Sequence, residues 1–207
     1  SIFKTLFQKL QLRKSSRIIT ISEFSKQDLM SKCEIKENKV IVSYCGIQNN
    51  YLCHSNIKKE IDILYVATFE KRKNHKNLLA AIKKMGIKLN ITFVGRDHGE
   101  MSTIKELAIE ISSESESKFN FIEKVSEAEL MDIYRKSKIF VFPSFVEGFG
   151  MPLIEAMASN CKVVCSDIEV FREVCGEGAI YFDPYSSSSI SAALLTGISA
   201  KKKKKKK

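Results

Sequence analysis

The apolar positions of this chain switch between a helical and an extended period, and each switch marks an element. Ile2, Phe3, Leu6, Phe7 and Leu10 fall on one face of a helix. Arg17 to Ile21 is a short, β-branched run that predicts a strand. Ser25 and Asp28 predict a capping box at the head of the helix "SKQDLMSKC", and "KVIVSY" predicts a second strand. Residues 44–60, "YCGIQNNYLCHSNIKKE", carry no period and several turn formers, which predicts a linker.

From Ile61 onward strands and helices alternate one for one. Strand "DILYVAT", loop "FEKRKN" and helix "HKNLLAAIKKM", stopped by Gly86, lead to strand "LNITFVG" and a helix from about Glu100. A solvated loop "SSESESK" is followed by strand "FNFIE", helix "EAELMDIYRKS" with Ser126 and Glu129 as its capping box, and strand "KIFVFPS". Helix "PLIEAMASN", strand "KVVCSD", helix "VFREVC" and strand "AIYFD" complete the series. Single helices between unbroken apolar strands such as "IFVF" and "KVVC" predict an α/β fold, a Rossmann-like parallel sheet with helices on both faces. Ligands of such sheets bind beyond the carboxyl ends of the strands.

Two loops at that edge hold candidate chemistry. In "FVFPSFVEGFGMPLIEAMA", Phe140 to Ala158, Pro152 suits the first position of a helix, so Gly148 and Gly150 lie just before its start. Backbone amides there are open to an anion such as a diphosphate, which the helix dipole also favours. Glu155 is expected in the first turn, where a carboxylate can accept two hydrogen bonds from a vicinal diol such as a ribose. Glu147, in the loop, is free to reach the far side of the diphosphate. The second loop, "FEKRKN", brings Arg72 and Lys73 to a helix start at the same edge, which suits a phosphate group.

Taken singly, each feature has a plainer explanation. Glu155 could only stabilise a helix N-terminus, worth roughly 0.3–1 kcal/mol, Glu147 could be a solvated loop residue, and "FEKRKN" a solvated basic turn. "GFGMPL" also imitates a dinucleotide fingerprint, which leaves a dehydrogenase open, although Leu153 stands in place of the third glycine. Asp167 and Glu169 form a carboxylate pair with nothing beside them to complete a metal site. Two anion-seeking loops together with a diol-seeking carboxylate favour a nucleotide site.

Composition narrows the rest. The net charge of +10 includes the lysines 201–207; without them 27 basic residues face 24 acidic ones, an ordinary balance that gives no argument for nucleic acid. The six cysteines form no C-x-x-C pair and have no histidine at zinc spacing, so they read as reduced thiols. No apolar run approaches the roughly 20 residues of a membrane span. A cytoplasmic protein is expected, peripheral at the inner membrane face if the amphipathic "SIFKTLFQKLQLRK" lies on lipid and not in a protein core.

The segments "ITISEFSKQDL", "ILYVATFEKRKNHKNLLAAI", "ITFVG" and "VSEAELMDIYRKSKIFVFPSFVEGFGMPLIEAMASNCKVVCSDIEVFREVCGEGAIYFDP" resemble successive motifs of the retaining glycosyltransferases of family 4, also called group 1. The similarity runs from about Arg17 to Pro184. It implies two Rossmann-like domains in the GT-B arrangement, with residues 1–45 as the end of an acceptor-binding domain, 46–60 as linker, 61–200 as the nucleotide-sugar domain and 201–207 as a tail. It also implies that an N-terminal portion and a final crossing helix are missing, so the chain alone is expected to bind donor with negligible transfer, and its uncovered apolar face at Ile2, Phe3, Phe7 and Leu10 is expected to make it self-associate through residues 1–14.

The family's E-x7-E motif falls on Glu147, implied to contact the donor sugar near the reacting carbon, and on Glu155, implied to hold the ribose hydroxyls. The amides of Phe149, Gly150 and Met151, beside Gly148, are implied to meet sugar and phosphate. Lys73, with Arg72 beside it, matches the phosphate-binding lysine. Gly95 and the segment Ile122, Glu123, Lys124 and Val125 match loops bordering the base. Ala67 and Glu123 stand where the family commonly has glycine, and Thr68 where many members carry arginine, so Arg72 is expected to substitute for it. The implied partners are a nucleotide-diphosphate sugar and a glycan or lipid-linked acceptor, with no metal and no further cofactor. A nucleotide-sugar-binding module without turnover remains the alternative.

Overall fold

The computed structural model describes residues 9–52 and 57–199. The apolar face at Ile2, Phe3, Leu6 and Phe7, together with Cys53 and the lysines 201–207, lies outside them; residues 9–14 are helical. In chain order the elements are β1 Ile18–Thr20, α1 Glu23–Cys33, β2 Val40–Val42, β3 Ile61–Val66, α2 His75–Met85, β4 Asn90–Val94, α3 Met101–Ser115, β5 Lys118–Ile122, α4 Glu127–Lys136, β6 Ser137–Phe142, α5 Met151–Ala158, β7 Lys162–Ser166, α6 Glu169–Cys175, β8 Ala179–Phe182 and α7 Ser187–Ser199.

Six of the strands form one parallel sheet in the order β5-β4-β3-β6-β7-β8, and β1 pairs with β2 in a separate two-stranded parallel sheet. The main sheet is covered on both faces, which is why its strands read as continuous apolar runs: Ile63, Leu64 and Tyr65 of β3 and Ile139, Phe140 and Val141 of β6 have no exposed surface. The neighbours β3 and β6, in register at Ile63 and Ile139, are where the strand order reverses. Connections leaving these two strands diverge to opposite sides and open a crevice at the carboxyl edge. The basic loop follows β3 and the glutamate loop follows β6, so the topology itself brings them together.

Several elements differ from expectation. Ser22, not Ser25, caps α1: its hydroxyl accepts from the Ser25 amide, and the helix starts at Glu23. The expected solvated loop at 112–118 is helical as far as Ser115. Ile111 is buried beneath it, and Ser115 satisfies its hydroxyl by donating to the Ile111 carbonyl without interrupting the turn. Ser117 is buried too, accepting from the Leu89 amide. The helix α7 is hidden in sequence by its serine-rich start, yet Ile190, Ala193 and Leu194 bury one face of it, and Gly197 packs where a Cβ would come within 3.0 Å of the Ile139 side chain. Finally, Gly150 is the N-cap of α5, in a left-handed conformation at φ 102°, so Pro152 is the second helical residue. Glu155 is therefore the fifth residue of α5 and lies beyond its first turn.

Candidate active site at the switch point of the sheet

The crevice is organised around Glu147. Its Oε1 accepts from Lys73 Nζ at 2.5 Å and its Oε2 from Arg72 Nη1 at 3.3 Å. Lys73 is 8 % exposed and its ammonium lies 5.3 Å from the centre of the Phe142 ring. A cation this deep needs a counter-charge, and the glutamate supplies it. The lysine is held from behind, because the Tyr65 hydroxyl donates to its carbonyl at 2.5 Å. Asn74, left-handed at φ 60°, ties the two loops to the fold by donating to the carbonyls of Pro143 and Pro184. The Phe145 amide donates to the Arg72 carbonyl, joining one loop directly to the other.

Thr68 acquires a role here. Its hydroxyl donates to Glu70, and Glu70 pairs with Arg72 at 2.8 Å. The Thr68 hydrogen bond, followed by that of Arg72, holds the Glu70 carboxyl below its ordinary range against its partial burial. Thr68, Glu70, Arg72 and Glu147 thus form one continuous run of polar contacts.

Glu155 is elsewhere on the same loop-helix unit. It is half-buried, and its Oε2 accepts from the Tyr134 hydroxyl at 2.9 Å. Burial lifts its carboxyl above the ordinary carboxylate range, opposed by the Tyr134 hydrogen bond. Tyr134 is fully buried and meets the Tyr51 ring edge-on at 6.1 Å. Sequence reasoning missed both tyrosines, since Tyr51 sits in a stretch without period.

A second recess, of about 430 Å³, has Ala67, Thr68, Gly95, Glu123, Lys124 and Val125 in its walls. This brings together most of the residues matched to a base-binding border. Ile122 contributes differently: its side chain packs against the core and its carbonyl accepts the Gly95 amide. Gly95 is demanded by packing, because a Cβ there would lie 1.9 Å from the Ala67 carbonyl oxygen. Phe149 is buried, 6.3 Å from the Tyr44 ring.

The cleft beside Glu147, about 490 Å³, has one wall that the sequence reading did not foresee. Phe24, Ser25, Asp28, Leu29 and Lys32 of α1 face Arg72, Val146, Glu147 and Gly148 across it. None of the α1 residues is fully buried, and their unpatterned polarity was the available signal that this helix lines a cleft. Its volume is that of a small-molecule site. Among the described residues no three His, Cys, Asp or Glu side chains gather closely enough to hold a metal ion, and no helix is long and apolar enough to cross a membrane. Three of the five described cysteines, Cys161, Cys165 and Cys175, are buried.

A doubly covered parallel sheet with a cationic and carboxylate crevice at its switch point defines the α/β class that binds nucleotide-like ligands there. The chain belongs to the glycosyl transferases group 1, whose family model matches residues 53–207. It is 30 % identical over 190 residues to the O-antigen chain mannosyltransferase RfbU of Salmonella typhimurium, covering 90 % of this chain and 52 % of the relative. Its fold matches that of sucrose-phosphate synthase from Thermosynechococcus elongatus with a TM-score of 0.80 at 19 % identity, over 94 % of this chain and 52 % of the other. It also matches Anabaena Alr3699/HepE, solved in complex with UDP-glucose, with a TM-score of 0.74 at 18 % identity, over 92 % and 56 % of the two chains. The chain spans about half the length of the curated relatives it matches.

Proposed function

We propose that this chain is the donor-binding half of a retaining glycosyltransferase, which moves a hexose from a nucleotide-diphosphate sugar to an acceptor hydroxyl of a glycan or lipid-linked saccharide. The observation that carries the reading is the Glu147 carboxylate held between Lys73 and Arg72 at the sheet's switch point. The names of the relatives, a mannosyltransferase of O-antigen chains and a protein crystallised with UDP-glucose, support a hexose donor.

In the transfer the bond from the anomeric carbon to the diphosphate breaks, the acceptor oxygen bonds that carbon from the same face, and the acceptor proton leaves on the departing phosphate. Charge grows on the diphosphate and on the sugar ring. Lys73 has three protons to donate, so it can keep one on Glu147 and offer others to phosphate oxygens, with Arg72 and the amides of Phe149, Gly150 and Met151 adding donors in place of a metal. Glu147 then favours positive charge at the anomeric carbon, and Glu155 takes the ribose diol. A base in the recess of Gly95, Glu123, Lys124 and Val125 completes the donor. Each such preorganised donor is worth on the order of 10²–10³ in rate.

The test joins this chain to an acceptor-binding domain of a group 1 relative, supplies a nucleotide-diphosphate hexose and an oligosaccharide acceptor, and reads the anomeric configuration of the product by proton NMR. Retention is expected, with no transfer by Glu147→Ala. An inverted product would overturn the mechanism. Unimpaired transfer by Glu147→Ala would remove the glutamate from it.

A further inference from the structure

The N-terminus of α1 grips the glutamate loop. The hydroxyls of Ser22 and Ser25 both reach the Gly148 carbonyl oxygen, at 2.9 and 3.2 Å, across more than a hundred residues of sequence. The same helix end is held from a second side: the Glu173 carboxylate of α6 accepts the Glu23 amide at 2.7 Å and the Phe24 amide at 3.0 Å. A carboxylate facing the first amides of a helix is a favourable, directional contact. Ser22 has no exposed surface, so this grip is built into the fold and is not a surface accident.

The grip fixes a peptide plane. The Gly148–Phe149 peptide is trans, which sets its N–H antiparallel to its carbonyl. With the carbonyl held on α1, the Phe149 amide must point away from α1. Glycine at 148 has no steric barrier to turning this plane the other way, and a Cβ there would meet nothing within 4 Å. Packing at residue 148 therefore does not hold the plane: the two hydroxyls hold its carbonyl end, and the buried Phe149 ring anchors the other.

We propose that Ser22 and Ser25, with Glu173 anchoring their helix, are positioning residues that orient the Phe149 amide toward the donor diphosphate. They act through the loop and touch no reacting atom. The inference rests on the donor-site reading above. It makes donor affinity depend on a helix outside the main sheet, so anything that shifts α1 is felt at the diphosphate.

The test is calorimetry of the full chain with UDP, GDP, dTDP and ADP, and with the matching free nucleosides. The first variant is Ser22→Gly with Ser25→Ala, because glycine is itself a good N-cap residue and the helix start survives. The nucleoside diphosphate that the wild type binds is expected to bind about five- to tenfold more weakly, the worth of about one net hydrogen bond, while the free nucleoside is unchanged. Glu173→Gln keeps the side-chain shape and weakens the anchor, along with the contact of Glu173 to the Tyr44 hydroxyl, and it is expected to lose about two- to threefold on the diphosphate with the nucleoside again unchanged. A doubled serine replacement that folds with wild-type diphosphate affinity overturns the positioning role alone. So does equal weakening of diphosphate and nucleoside. If the double variant does not fold, Glu173→Gln decides by the same comparison. A wild type that binds none of the four diphosphates overturns the donor-site reading, and the positioning role with it.

Discussion

Glu155 carries the clearest consequence at the scale of single residues. Its carboxylate is partly desolvated and already accepts one hydrogen bond from Tyr134, which leaves its other oxygen for a ligand. Glu155→Gln is expected to weaken nucleotide binding by roughly 1.5–3 kcal/mol, the worth of hydrogen bonds to a charged group. The 2′-deoxynucleotide should lose less than the ribonucleotide, because one of the two diol contacts is absent from the start. Equal losses, measured by calorimetry, would remove the ribose assignment. The pH dependence has a definite sign. Since the Glu155 carboxyl lies above the ordinary range, protonation on acidification reaches it early, and affinity for the ribonucleotide should fall with it. Tyr134→Phe removes the hydrogen bond that opposes this rise, so the fall should begin at still higher pH; an unmoved profile would show that the tyrosine does not tune the carboxylate.

Two features of the elements invite direct tests. Gly95 follows β4 directly, against the backbone of Ala67 in the segment after β3, and a methyl group there collides with backbone, not with a movable side chain. Gly95→Ala should therefore cost about 1–3 kcal/mol in chemical denaturation and distort the recess beside it; a change under half that cost would mean that the loop shifts freely. His75 opens α2 with its ring stacked 4.6 Å from Phe69, and its Nε2 is buried without a hydrogen-bond partner. Burial, reinforced by the charge of Lys73, pushes its pKa down to about 3. Unfolded histidine titrates near 6.5, so between about pH 6.5 and 3 the unfolded chain binds a proton that the folded chain refuses. Stability should fall as pH falls through this window, by about 1.4 kcal/mol per unit from this residue. His75→Phe should flatten the slope, and coincident acid-unfolding profiles would show that the native imidazole titrates normally.

At this scale much was legible in the sequence. The six strands from Ile61 onward and their parallel pairing follow from apolar runs separated by single helices, and Ser126 with Glu129 forms its capping box as spelled. What misled was local chemistry with a tertiary solution. "SSESESK" looks solvated, yet its serines satisfy themselves against the helix backbone, and Ser22 was passed over as a cap because Ser25 offered the more familiar spacing. Of the site, Glu147, Arg72 and Lys73 were legible because charged residues in loops at one sheet edge have few structural duties. The wall contributed by α1 and the tyrosines behind Glu155 were not, since contacts between residues a hundred positions apart leave no periodic trace.

For the molecule as a whole, the structure gathers the charged loops of the candidate site at one edge of one sheet. Ser22, Ser25 and Glu173 then tie that edge to the smaller β1-β2 unit. Half a cleft can bind a donor without transferring it, because the transition state needs the acceptor placed against it as well. On the proposed reading of this chain as a donor-binding half, it is expected to bind donor and show negligible transfer, and rapid turnover by the purified chain with no added partner would overturn that reading. The most direct test of the central claim is titration of the chain with UDP-, GDP-, dTDP- and ADP-hexoses, repeated with Lys73→Ala. The account predicts saturable binding of at least one of them at one site per chain, weakened at least about tenfold in the variant through loss of a charged phosphate contact. Binding of none, or binding that Lys73→Ala leaves intact, would contradict it.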